Sequence, residues 1–120
     1  SDIPLCMSAM DIFCSPSRTE AFPLVVGEAM LMGRSCVVTD VGDTAFVVGN
    51  TAVVVERENS MALAAGLSRL LDLPNKERDR LGGRARERVC REFSLNNTVH
   101  LTLEAYEYVL CHYEKSKGSA

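Results

Sequence analysis

Three short apolar runs constrain this chain more than any other feature: Ile12-Phe13-Cys14 within 11–15, Cys36-Val37-Val38 within 35–39 and Ala52-Val53-Val54-Val55 within 51–56. Runs this short, with no polar alternation, suit strands buried on both faces, and strands that alternate with helical stretches build a parallel sheet through crossovers. The expectation is an α/β fold: a partial Rossmann-like domain, three parallel strands flanked by helices, ending in a long C-terminal helix. A parallel sheet needs cover on both faces and neighbours at its edges, and three strands are few. The chain therefore reads as one half of a doubly wound sheet, its strands occupying places 4, 5 and 6 of the order 3-2-1-4-5-6. The first strand would then have an open edge, which a homodimer or a domain swap would cover.

Helix signals fill the intervals. Asp2 and Pro4 can cap and start a short helix through Met10. Leu24, Val25, Ala29 and Met32 define a helix over 24–32, with Gly33 placed as a C-terminal cap. Thr44 to Val48 has room for one or two turns. Asn59 or Ser60 can cap a helix with the apolar face Leu63, Leu67, Leu70 and Leu71, stopped by Pro74. A charged helix is predicted from Lys76 to Phe93. Ser94 can cap the last helix, along which Val99, Leu103, Tyr106, Leu110 and Tyr113 form one stripe. Residues 115–120 have nothing to bury and read as a flexible tail.

The 120 residues are 47% hydrophobic and 24% charged, the composition of one ordinary globular domain, which excludes a disordered tail, a collagen-like polymer and a two-domain enzyme. The formal charge of −3 argues against a nucleic-acid partner. Its distribution is uneven, because the segment from Lys76 to Glu92 carries seven basic and four acidic residues. Interleaved signs at helical spacing describe a solvated helix face, and contact with an anionic membrane surface is the sharper alternative. No apolar run approaches the ~18 residues of a membrane span. Cys6, Cys14, Cys36, Cys90 and Cys111 are an odd count without a Cys-x-x-Cys pair, so neither a metal site nor a disulfide framework is expected, and a reducing compartment fits. His100 and His112 lack metal-ligand spacing. A cytoplasmic location follows, with the inner membrane face as the one place of contact that the basic segment offers. The opening Ser1-Asp2-Ile3-Pro4 reads as the entry to a helix, so the chain is expected to begin in the middle of something larger.

The stretch from Ser15 to Met30 carries the chemistry. It follows a strand end and opens a helix, and in open α/β sheets ligands bind outside the carboxyl ends of the strands. The unpaired amides and dipole of a helix's first turn favour an anion there. Pro23 suits that turn because its missing N–H is not needed, and the amides of Leu24 and Val25 could hold a phosphate. Glu20 precedes the helix and Glu28 lies about a turn and a half inside it. Carboxylates accept paired hydroxyls well, so the two suit sugar rings on either side of a diphosphate. Two glutamates eight apart are, taken alone, ordinary surface charges. A glycosidase acid/base pair fits poorly, since hydrolysis of neutral glycans does not need an anion site.

Read together, these residues resemble the retaining glycosyltransferases of the GT-B fold known as glycosyl transferases group 1. The resemblance rests on Pro16-Ser17, Glu20-Ala21-Phe22, Glu28-Ala29-Met30, Gly33, Val37-Val38-Thr39-Asp40 and Val41-Gly42-Asp43. It continues through Leu70-Leu71, the Arg-rich helix and Phe93-Ser94, and so covers nearly the whole chain. It implies that residues 1–114 are the C-terminal part of a nucleotide-sugar-binding domain. In the family the first glutamate of this pattern contacts the donor hexose and is counted with catalysis. The amides that follow the phenylalanine bind the diphosphate, and the second glutamate binds the ribose. Carried over, these roles fall to Glu20, to Phe22, Leu24 and Val25, with Pro23 counted among the donor-binding residues for the turn it sets, and to Glu28. The implied donor is a nucleotide-diphosphate sugar, acting as substrate, with no cofactor and no metal. The implied reaction is hexosyl transfer with retention to a glycan or lipid acceptor, as in polysaccharide biosynthesis.

The chain departs from the family pattern at Ala21, where glycine is usual, and at Asp43, where a second glycine is frequent. The family's diphosphate-binding Arg and Lys and its N-terminal acceptor domain lie before the residues in hand, so the fragment alone is expected to be inactive. The alternative is a non-catalytic nucleotide-binding or interaction module on a Rossmann half-fold.

Overall fold

The computed structural model describes residues 2–117, with side chains through Tyr113. Its elements follow as α1 (Ile3–Ser8), β1 (Ile12–Ser15), α2 (Leu24–Leu31), β2 (Ser35–Thr39), α3 (Thr44–Val48), β3 (Val53–Val55), α4 (Ser60–Leu71), α5 (Asn75–Glu92) and α6 (Leu95–Lys117). The three strands form one parallel sheet in the order β1-β2-β3, with Phe13 beside Cys36 and Val38 beside Val54. This is the α/β arrangement that the apolar runs predict. β1 and β3 are the two edges.

All five residues of β2 are buried, and because successive side chains point to opposite faces, both faces of the central strand are covered. α4 covers one of them: a Cβ added at Gly66 would lie 2.9 Å from a Val55 methyl and 3.1 Å from one of Val37, so the helix backbone rests directly on the valines. Val26, Ala29 and Met30 of α2 are fully buried, as are Val48 of α3 and Leu70 of α4 at 0–1% exposure. Removing a side chain such as Leu70 from water stabilises the fold by roughly 1.5–3 kcal/mol.

Side chains tie the helices to this core. Ser35 donates to the Arg78 carbonyl at 2.6 Å, which fastens α5 to the start of β2. Arg88 donates to the carbonyls of Val47 (2.9 Å) and Phe46 (2.7 Å), satisfying the end of α3. Arg34 reaches the Met10 carbonyl at 2.8 Å and so links the segment after α1 to the α2–β2 turn.

The element boundaries differ from expectation where a turn claims a residue. β3 spans three residues rather than 51–56, because Thr51 bonds back to the Val48 carbonyl through both its amide (3.1 Å) and its hydroxyl (2.7 Å). α1 ends at Ser8 rather than Met10, and α2 at Leu31 with Met32 as cap, followed by Gly33 at φ +67°. Asn59, not Ser60, caps α4 by accepting the Ala62 amide at 2.9 Å. Pro74 does more than stop that helix: its carbonyl accepts the amides of Glu77 and Arg78, which starts α5. Leu71, predicted on the apolar face of α4, is 63% exposed, and the buried positions of this helix are Gly66 and Leu70.

Cα proximity divides the chain into Ser1–Cys90 and Arg91–Ala120. In the second unit Ser94 accepts the Asn97 amide at 3.2 Å, which caps α6 as predicted. The stripe from Val99 to Tyr113 is exposed. α6 runs through Lys117, three residues into the stretch read as a tail, since nothing in Glu114-Lys115-Ser116-Lys117 interrupts a helix. The remainder of that stretch, 118–120, lies outside the described residues.

Candidate functional site

The carboxyl ends of the strands release three loops: 16–23 after β1, 40–43 after β2 and 56–59 after β3. Glu20 sits on the first. Its carboxylate accepts the Ser17 hydroxyl at 2.8 Å, and Ser17 shares a further hydrogen bond with Ser15, the last residue of β1, at 3.3 Å. Thr39, at the end of β2, donates to the Ser17 carbonyl at 2.6 Å. The polar residues at two neighbouring strand ends thus fix the start of the loop that presents Glu20.

The second loop braces the other end. Gly42 has φ +50°, and a Cβ added there would fall 1.9 Å from the Glu20 carbonyl oxygen and 3.2 Å from that of Ala21. Only glycine permits both that backbone conformation and that approach. The Asp43 amide points to the Ala21 carbonyl at 3.4 Å, so the Gly42 loop lies against the backbone on which Glu20 is carried. Arg18, on the same loop, reaches Glu58 of the third loop at 3.6 Å. Both side chains are exposed, and such a pair contributes little.

α2 opens directly after the loop. Pro23 is buried and acts as the N-cap, its carbonyl accepting the amides of Val26 (3.1 Å) and Gly27 (3.2 Å). Of the two amides expected to face an anion, that of Leu24 donates to the Phe22 carbonyl at 3.0 Å. The Val25 amide has no backbone acceptor among the described residues. Phe22, Leu24 and Val25 have exposed side chains, and an exposed Glu28 lies further along the same helix. Glu28 borders an open groove of about 240 Å³ together with Ile3 and Met7 of α1 and Leu31 of α2. Glu20, Phe22, Pro23, Leu24 and Val25 are thus contiguous on one loop and first turn, and Glu28 is the residue that joins them to the α1–α2 groove.

Sequence reasoning did not assign roles to Ser15, Ser17, Thr39 and Gly42, which hold Glu20. The signal for them was present as polar residues closing two apolar runs and a glycine three residues beyond β2. Among the described residues no group of three His, Cys, Asp or Glu side chains could hold a metal ion, and no helix is long and apolar enough to cross a membrane. His112 instead contacts the Tyr108 carbonyl at 2.8 Å, and His100 lies 3.5 Å from Glu104.

A parallel α/β sheet whose carboxyl-edge loop carries a braced acid and opens a helix has the ligand-facing layout of doubly wound enzymes. Comparison with known proteins narrows this class. Residues 1–73 match the family described as glycosyl transferases group 1, and the chain belongs to that family. It is 35% identical over 107 residues to the D-inositol 3-phosphate glycosyltransferase of Salinispora tropica, covering 88% of this chain and 22% of that protein. To the protein of the same name from Mycobacterium bovis it is 29% identical over 119 residues, covering 98% of this chain and 25% of the relative. Among solved structures, sucrose-phosphate synthase from Thermosynechococcus elongatus superposes with a TM-score of 0.76 at 28% identity, over 90% of this chain and 27% of that one. A glycosyltransferase from Rickettsia africae gives a TM-score of 0.75 at 28% identity, over 92% of this chain and 30% of that one. The chain therefore spans about a quarter of the length of the curated relatives it matches.

Proposed function

We propose that this chain is the donor-binding part of a glycosyltransferase that transfers a hexosyl group from a nucleotide-diphosphate sugar, with retention of configuration, to a hydroxyl of a glycan or lipid acceptor. The observation that carries the reading is the double bracing of Glu20, by Ser17 and by the Gly42 loop, at the mouth of a helix N-terminus in a member of this family. In this reading Glu20 accepts hydroxyls of the donor hexose and holds its ring beside the scissile bond. The diphosphate lies over the first turn of α2, where the Val25 amide and the positive helix end meet its charge. Glu28 takes the ribose hydroxyls.

During transfer the bond between the anomeric carbon and the diphosphate oxygen breaks and its electron pair leaves with the nucleoside diphosphate. The acceptor oxygen bonds the same carbon, and its proton passes to the departing phosphate. The helix end stabilises the charge that develops on the leaving group. The Leu24 amide, bonded to Phe22 in this conformation, joins the anion only by exchanging that carbonyl for a phosphate oxygen. Because the chain spans about a quarter of its relatives, acceptor binding and the remaining cations are assigned to a separate domain, and the 120 residues alone are expected to be inactive.

The test is kinetic, in the intact enzyme. Glu20→Ala is expected to lower kcat by roughly 10²–10³, the scale seen when one preorganised electrostatic contact is lost. Glu28→Gln is expected to raise the donor KM about tenfold, since a hydrogen bond to a charged group is weakened. Near-normal kinetics for both variants would sink the assignment.

A further inference from the structure

We propose that the cleft between α4, α5 and the start of β3 is a second binding site, for a phosphate monoester. It has a volume of about 390 Å³ and is lined by Arg69 of α4, by Arg80, Arg84 and the single acidic residue Glu77 of α5, and by Asn50 and Val53 at the amino edge of the sheet. Glu20 and its loop stand at the carboxyl edge, so this cleft is not part of the donor site.

Three arginines converge here in a chain whose formal charge is −3. All three side chains are exposed, so their mutual repulsion is screened by water, and the cluster is open to an anion from solution. Two other arginines of α5 are fastened to the fold: Arg78 donates to the carbonyls of Leu70, Leu71 and Leu73, and Arg88 to those of Phe46 and Val47. Of the three in the cleft, Arg80 alone has an acidic partner among the described residues. Arg69 and Arg84 have no acidic partner among the described residues, and Arg80 reaches Glu77 only at 3.9 Å with both side chains exposed. Arg80 and Arg84 are four apart on α5 and share one face of it, while Arg69 supplies the opposite wall.

A phosphate monoester matches this lining in charge and shape. It carries nearly two negative charges at neutral pH and three oxygens, and guanidinium forks bind such oxygens in pairs. The apolar part of the cleft, Leu70 and Leu73 beside Val53, leaves room for the carbon skeleton of the ester. The volume falls in the range of small-molecule sites, ~300–1,000 Å³. The same chemistry is offered by a soluble polyol phosphate and by a lipid with a phosphomonoester headgroup.

The experiment titrates the full chain with glycerol 3-phosphate, with glycerol, and with phosphatidylcholine vesicles with or without phosphatidic acid. Binding is read from backbone amide shifts and from vesicle co-sedimentation. Glycerol 3-phosphate is expected to shift the amides of Asn50, Arg69 and Arg84 while glycerol does not. The double variant R69A/R84A should lose binding by roughly tenfold or more, the loss expected for removing charged hydrogen bonds, with an unchanged melting temperature. Arginine-dependent binding to phosphatidic acid vesicles alone would assign the site to the headgroup. Failure of both probes to bind, or binding that survives R69A/R84A, would overturn the proposal.

Discussion

Gly82 and Gly83 are neighbours in α5, and the structure predicts opposite consequences for the same substitution at each. A Cβ added at Gly82 would fall 2.0 Å from the Gly33 carbonyl oxygen and 2.7 Å from its carbon, whereas at Gly83 it would meet nothing within 4 Å. A carbon tolerates a carbonyl oxygen at about 3.3 Å, so Gly82→Ala requires α5 to withdraw by roughly 1.3 Å at that point. Such a shift takes the Ser35 hydroxyl, now 2.6 Å from the Arg78 carbonyl, beyond hydrogen-bond range, and loosens the burial of Ala85 and Val89. Overpacking costs about 1–3 kcal/mol and the lost hydrogen bond about 1 kcal/mol, against a gain of about 1 kcal/mol from replacing glycine within a helix. Gly82→Ala should therefore lower stability by about 1–3 kcal/mol, while Gly83→Ala, which keeps only the helix gain, should raise it by about 0.5–1 kcal/mol. Urea unfolding of the two variants, followed by far-ultraviolet circular dichroism, measures the gap. Equal midpoints, or a Gly82→Ala variant more stable than Gly83→Ala, would refute the contact between α5 and the α2–β2 turn.

Further outcomes follow from the site and the core. Gly42→Ala places a Cβ 1.9 Å from the Glu20 carbonyl oxygen at φ +50°, so the Glu20 loop must move by more than an ångström; in the intact enzyme kcat should fall by up to ~10²-fold, and an unchanged kcat would detach Gly42 from the site. Cys36 is fully buried, and loss of hydration pushes its thiol up from 9.0 to about 12. The folded chain holds this proton more tightly than the unfolded one, so the thiol's contribution to stability is complete below pH 9.0 and is lost as the pH climbs toward about 12. Urea midpoints should decline over that interval less steeply for Cys36→Ala than for the parent, and parallel declines would contradict the burial. In the native chain, iodoacetamide should label the exposed Cys6, Cys90 and Cys111 and spare Cys36, as mass spectrometry of the digested protein would show.

The sheet was legible because its strands are dense apolar runs, and their pattern does not depend on what lies far away in sequence. β2 is predicted at 35–39 and observed there without adjustment, since Ser35 to Thr39 are all buried. β3 is shorter than its apolar run predicts because Thr51 satisfies itself on the turn after α3, a choice that local propensity does not reveal. Periodicity places Leu71 on the apolar face, yet the approach of α4 to Val37, Val53 and Val55 is centred on Gly66, and a glycine gives no hydrophobic signal. At the site, Glu20 and Glu28 are marked in the sequence by their places before and within the helix that opens after β1, and the resemblance to a family adds the role of each. The contact of Gly42 with the Glu20 backbone and the bond from Thr39 to Ser17 join residues more than twenty apart and needed the fold. The arginine cleft was hidden for the same reason: Arg69 and Arg84 belong to different helices, and the Lys76 to Glu92 segment alone reads as a solvated face.

The bracing of Glu20 has a kinetic consequence. A loop held at one end by Thr39 and Ser17 and pressed at the other by Gly42 has lost its conformational entropy during folding, so a ligand does not have to order it on arrival. Lid closures take microseconds to milliseconds, whereas turning one peptide unit, such as that of the Leu24 amide bonded to the Phe22 carbonyl, is a local motion of a far shorter timescale. Capture at this edge should then be set by encounter rather than by rearrangement of this loop, with an observed rate that rises linearly with ligand concentration and shows no plateau from a closing step.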